Sequence, residues 1–98
     1  MGRLKLVVAA AAGRDLDSIY DYTATHWGVE QADRYVGSFD AAYQLLLRQP
    51  GIGSPSDHGF GYRRLRHERH LIYYSVGPKL LRIERVLHYR MDAPRHLA

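Results

Sequence analysis

The sequence predicts an α+β domain of order β-α-α-β-β-β, with an N-terminal helical hairpin packed on one face of a small, mainly antiparallel sheet. Three observations predict it. Apolar side chains recur at helical spacing from Ala12 to Leu47, broken only near Gly28. From Tyr62 to Val76 the pattern changes to two short runs rich in Tyr, Leu, Ile and Val around a polar turn at His67-Glu68-Arg69. Between these regions, residues 50–61 are dense in Gly, Pro and Ser and read as a loop. With 98 residues the chain has room for one core, so residues 1–98 form a single domain.

In order, Leu4-Lys5-Leu6-Val7-Val8 is a short strand candidate, and the alanines at 9–12 lead into a helix. The first helical stripe is Ala12, Leu16, Ile19, Tyr20, Thr23 and Trp27, with Arg14, Asp17, Asp21 and His26 off it. Trp27 and Tyr20 are expected in the core, with Trp27 closing the stripe against the sheet. Asp15 and Asp17 are expected to favour the helix start through its dipole. Gly28 stops the helix.

A second helix is predicted from about Glu30 to Arg48, its stripe running through Ala32, Tyr35, Val36, Phe39, Ala42, Tyr43, Leu46 and Leu47. So short a joint forces an antiparallel hairpin. After the loop and the β-hairpin, Gly77-Pro78 turns the chain into a last strand, Leu80 to Leu87. There Val86-Leu87 breaks the alternation and predicts a bulge or a doubly covered strand end. The tail from Arg90 to Leu97 reads as short and polar.

The charge balance narrows the partner. A formal net charge of +4 fits an acidic partner, nucleic acid or a protein with acidic segments. A hydrophobic fraction of 46% with eight tyrosines excludes a disordered chain. The absence of cysteine excludes a disulfide scaffold and a thiolate site. No signal peptide or membrane span is expected, and a reduced cytoplasm is the default compartment.

The β-hairpin carries the candidate site. Arg63, Arg64 and Arg66 lie on its first run and Tyr73 and Tyr74 on its second. An unpaired guanidinium is costly to bury, so one sheet face is expected to pack while the other presents charge. Of the two tyrosines, which alternate, one should be core and the other a surface contact. His67-x-x-His70 straddles a turn without an acidic or Cys partner, so no metal is expected. No nucleophile constellation or phosphate loop is present, and no cofactor is expected.

Four segments together carry a resemblance: A-x-x-D-L-x-x-I-Y-D-Y across residues 11–22, W-G-V-E-Q-A-D-R-Y-V from Trp27, G-Y-R-R-L-R…R-H-L-I-Y-Y over 61–74, and R-V-L-H-Y-R-M-D from Arg85. In this order and spacing the chain resembles the ParE toxins of type II toxin–antitoxin modules, within the RelE/ParE superfamily. The resemblance implies a toxin that inhibits DNA gyrase without chemistry of its own, held by a ParD-like antitoxin with a DNA-binding N-terminal part and an acidic C-terminal segment. A hetero-oligomer with that antitoxin is expected, with no sequence-specific DNA binding by this chain alone. Antitoxin contacts are then expected at Arg63, Arg64, Arg66, Tyr73 and Arg82. Target contacts are expected at Arg82, His88, Tyr89, Arg90, Met91 and Asp92. The competing implication is a RelE-like, ribosome-dependent mRNA endonuclease, for which Arg64, Arg66, Arg82, His88 and Tyr89 would have to converge.

Overall fold

The computed structural model describes residues 3–56, 61–91 and 93–97. Strand β1 (Lys5–Val8) leads into helices α1 (Ala10–Trp27) and α2 (Val29–Arg48). A two-residue strand β2 (Ser54–Pro55) follows, then β3 (Arg63–His67), β4 (His70–Val76), β5 (Leu80–His88) and a terminal helix α3 (Ala93–Leu97). The sheet order is β1-β5-β4-β3-β2, with β1 parallel to β5 and the remaining pairs antiparallel. The predicted α+β fold is the observed one.

Gly28 is the whole joint between the helices. Its φ of +98° suits glycine alone, and its N–H closes α1 on the Ala24 carbonyl. The chain then turns straight into α2, and Tyr20 Oη donates to Asp33 Oδ1 at 2.8 Å across the two helices. Ala12, Phe39, Ala42, Tyr43 and Leu46 descend from this hairpin onto Ile72, Tyr74, Leu81, Ile83 and Val86 of the sheet.

The expected break at Val86-Leu87 is present in both forms. Tyr73 pairs with Arg85 but Tyr74 pairs with Ile83, so Glu84 is the extra residue of a bulge. The shift lets Val86 join Leu81 and Ile83 under the helices, while Leu87 packs on the other face. β1 accompanies β5 only as far as Ile83. Beyond it the Asp15 carboxylate substitutes for a strand, accepting the Val86 N–H at 2.9 Å. Asp15 thus serves the sheet rather than the helix start. With α1 beginning at Ala10, it lies beyond the first turn where the dipole acts.

The predicted loop is tied to the sheet more firmly than its composition suggests. Tyr74 Oη donates to the Pro50 carbonyl at 2.8 Å and accepts the Gly53 N–H at 2.9 Å. Gly53 is required there, because a Cβ would lie 2.5 Å from Tyr74 Oη and 2.7 Å from the Arg64 carbonyl oxygen. Arg63 adds hydrogen bonds to the carbonyls of Gly53 and Gly51.

Two expectations about the sheet faces fail for one reason. The tail is not a polar extension: α3 covers the second face, where Ala93 and Leu97 pack on Tyr73 and Leu87. Tyr73 is therefore as buried as Tyr74, and neither presents its side chain to solvent. Arg85 holds this cover in place, donating to the His96 carbonyl while its other nitrogens grip Asp15 at 2.8 and 2.9 Å.

Candidate functional site

Alternation along β3 divides the predicted basic face. Leu65 packs on the core and His67 lies against α2, so Arg63, Leu65 and His67 share the helix side. Arg64 and Arg66 point the other way. Arg63 is committed to loop carbonyls, Arg64 is half-buried on β3 between Ser54 and Tyr73, and Arg66 alone of the three is exposed. Arg82 lies towards the start of β5, opposite Ser75, in an ion pair with Glu84 at 3.2 Å.

The far end of β5 is assembled differently. The Tyr89 N–H bonds the Arg69 carbonyl, which brings the segment after β5 against the β3–β4 turn. Glu68 makes that turn with φ of +54°. Arg66 and Arg69 of the β3–β4 hairpin and the distant Arg90 thereby line one concavity of about 440 Å³ together with His88 and Tyr89. The Arg66 guanidinium lies 4.4 Å from the Tyr89 ring centroid and that of Arg90 lies 5.3 Å away. His88 stacks on the same ring at 4.7 Å. The His88 pKa is lowered by partial burial and by repulsion from Arg90, Arg69 and Arg66.

Behind this concavity, a histidine network pins the β-turn to α2. Tyr35 Oη accepts the Arg69 N–H, so its own proton is directed to His70 Nδ1 at 2.6 Å. Ser38 Oγ donates to the Tyr35 carbonyl, which leaves His67 Nε2–H as the donor to Ser38 at 2.7 Å. Accepting at Nδ1, the His70 ring is thus held neutral. Burial, reinforced by His88, His67 and Arg69, pushes His70 down to about 4. Burial lowers His67 as well. The His67-x-x-His70 spacing serves this network, and among the described residues no group of three or more His, Cys, Asp or Glu side chains is placed to hold a metal.

A second, larger cleft of about 1450 Å³ lies between the α1–α2 corner and this end of the sheet. Its walls include Ile19, Tyr22, Trp27, Val29, Val86 and Met91, with Arg34 and Arg69 among its polar groups. Trp27 is not in the core. It is 66% exposed, and Tyr22 and Val29 beside it are 63% and 59% exposed. The stripe predicted its face correctly, but at the hairpin corner the cleft takes the place of a packing partner. Aromatic and aliphatic side chains exposed together mark an interaction surface.

Of the predicted target residues, His88, Tyr89, Arg90 and Met91 fall at this end of the sheet, whereas Arg82 is six residues back along β5. Asp92 lies outside the described residues. The nuclease set is likewise only partly gathered: Arg66, His88 and Tyr89 meet, while Arg82 is separated and paired. Sequence reasoning missed Arg69, the Tyr35–His70 bond and the Asp15–Arg85 pair. Asp15 and Arg85 are 70 positions apart and no local pattern links them, although both fall inside the family-like segments quoted above.

Comparison with known proteins identifies the lineage. The family description "ParE toxin of type II toxin-antitoxin system, parDE" fits residues 6–93. The chain belongs to the ParE toxin family. It is 40% identical to Toxin ParE1 of Caulobacter vibrioides over 88% of this chain and 90% of that protein. The chromosomal ParDE toxin–antitoxin system from P. aeruginosa contains a similar chain, with a TM-score of 0.81 at 28% identity, covering 88% of this chain and 96% of the other. The DinJ–YafQ complex of E. coli shares the fold more distantly, with a TM-score of 0.65 at 16% identity over 89% and 94% of the two chains. The chain is thus a ParE toxin of the type II toxin–antitoxin class. Among the described residues, no helix is long and apolar enough to cross a membrane.

Proposed function

We propose that this ParE toxin inhibits DNA gyrase by binding, without bond-breaking chemistry of its own, and that a ParD-like antitoxin neutralises it. The observation that carries the reading is the family match across residues 6–93, together with a site rich in binding surface. The large cleft offers Trp27, Tyr22, Val29 and Met91 as apolar anchors for a segment that folds on docking. Arg34 at the cleft and Arg64 on the sheet suit the carboxylates of an acidic antitoxin chain.

The RelE-like reading rests on the meeting of Arg66, His88 and Tyr89. Against it, Arg82 is spent on Glu84, and His88 Nδ1 accepts the Arg90 N–H. A purified gyrase supercoiling assay, run beside ribosome-programmed mRNA cleavage, tests the choice. Loss of supercoiling with intact mRNA is expected. Codon-positioned cleavage that vanishes in His88→Ala would establish the nuclease instead. For the antitoxin, Arg64→Glu is expected to weaken peptide binding and flatten its salt dependence. Unchanged affinity at every ionic strength would remove Arg64 from the interface.

A further inference from the structure

The two concavities differ in lining as well as in size. The large cleft has the apolar walls a peptide needs. The small one is lined, among the described residues, by Arg66, Arg69, Arg90, His88 and Tyr89. Coupled folding of an acidic chain gains little from so polar a surface, because apolar burial is what offsets its ordering entropy.

Among the described residues none of the three arginines forms an ion pair. The Arg66 Nε–H is used on the Glu68 carbonyl, which leaves the terminal nitrogens of its fork. Arg69 and Arg90 take part in described hydrogen bonds through backbone N–H groups, at Tyr35 Oη and His88 Nδ1, and through the Arg69 carbonyl. Tyr89 contacts Arg66, Arg90 and His88 through its ring, so its faces are engaged within the chain. It acts as a strut that sets guanidinium positions rather than as a platform for a base. Guanidinium forks gathered around one opening suit the oxygens of a phosphate and carry no sequence code.

We propose that Arg66 and Arg90, set about the Tyr89 ring, form with Arg69 a binding site for a backbone phosphate of duplex DNA. The assignment to DNA rests on the gyrase reading, since gyrase, the proposed target, itself works on a bound DNA segment. The phosphate site itself rests on the geometry. It makes the toxin a contact to the enzyme–DNA complex, while the larger cleft remains the peptide site.

The test measures binding of the full chain to a fluorescent 20-base-pair duplex by anisotropy across salt concentrations. Single-stranded RNA of equal length and a glutamate-rich peptide serve as competitors. Wild-type affinity should fall steeply with salt. Arg66→Gln and Arg90→Gln should each weaken binding about threefold or more and lower the log–log salt slope by about one. Tyr89→Leu leaves net charge unchanged and should still weaken binding, because the guanidiniums lose their spacing. The His88 titration, followed by NMR, should move upward when DNA binds, and at sub-saturating DNA should move less in Arg90→Gln. Circular dichroism of each variant confirms folding.

Equal affinity and slope in both arginine variants would overturn the site. Displacement of DNA by the acidic peptide at equal charge, with the same His88 shift, would reassign it to a protein partner. Preference for RNA would overturn the DNA assignment. Gyrase inhibition without DNA binding sinks only this inference, whereas DNA binding without gyrase inhibition sinks the functional reading.

Discussion

Tyr73 and Tyr74 are neighbours on one strand, both buried, and their surroundings differ in almost every respect. Tyr74 lies under two long helices, and its hydroxyl organises a loop through Pro50 and Gly53. Tyr73 lies under five helical residues of α3, a cover tethered by the Arg85 bond to the His96 carbonyl. One face is closed by about 38 residues of continuous hairpin, the other by the chain's last turn and a half of helix. The contrast teaches that equal burial does not mean equal stability. A terminal segment can seal a face and still open at low cost.

The comparison is broken most directly by truncating each face. Phe39→Ala, on the sheet-facing side of α2 at 1% exposure, is expected to cost about 3–5 kcal/mol. Leu97→Ala should cost about 2 kcal/mol, at the low end for a buried leucine, because α3 can relax around it. Equal losses in a denaturant titration would mean that the thin face is as cooperative as the thick one.

Asp15→Ala touches both faces, since its carboxylate grips Arg85 and caps the Val86 N–H. It leaves a mostly buried guanidinium unpaired, and about 2–3 kcal/mol should be lost. Amide exchange should quicken at Val86. If Val86 stays protected, Asp15 is not the acceptor that completes β5.

Acid sharpens the picture at the histidine network. Folded His70 takes a proton only near pH 4, whereas an unfolded histidine does so near 6.5. The unfolded state therefore binds more protons in that window, and stability should fall as pH drops from 6.5 to about 4. Allowing for solvent screening of this half-buried ring, the loss is about 1–2 kcal/mol. His70→Gln should flatten the profile in that range. An identical profile in the variant would place the titrating group elsewhere.

The smallest effect on stability belongs to Trp27→Ala, expected within about 0.5 kcal/mol because the side chain lies at a solvated corner. Its effect should appear in antitoxin affinity instead. A large drop in melting temperature would return Trp27 to the core.

The sequence by itself determined the elements that depend on local rules. Helical spacing, the Gly28 stop and the polar turn at Glu68 set the two helices and the β-hairpin almost to the residue. The break at Val86-Leu87 narrowed the strand end to a bulge or a double cover, because an odd step in an alternating pattern has few explanations, and both are present. Only the tertiary structure decided which faces those elements bury. Nothing local in Ala93–Leu97 marks a cover for Tyr73, and the stripe ending at Trp27 gives no notice that the sheet stops short of it. The Arg66–Arg69–Arg90 cluster depends on one backbone bond between Tyr89 and Arg69 that joins two turns 20 residues apart. Contacts of that kind follow from closing a sheet in three dimensions, and periodicity, which records only neighbours along the chain, carries no trace of them.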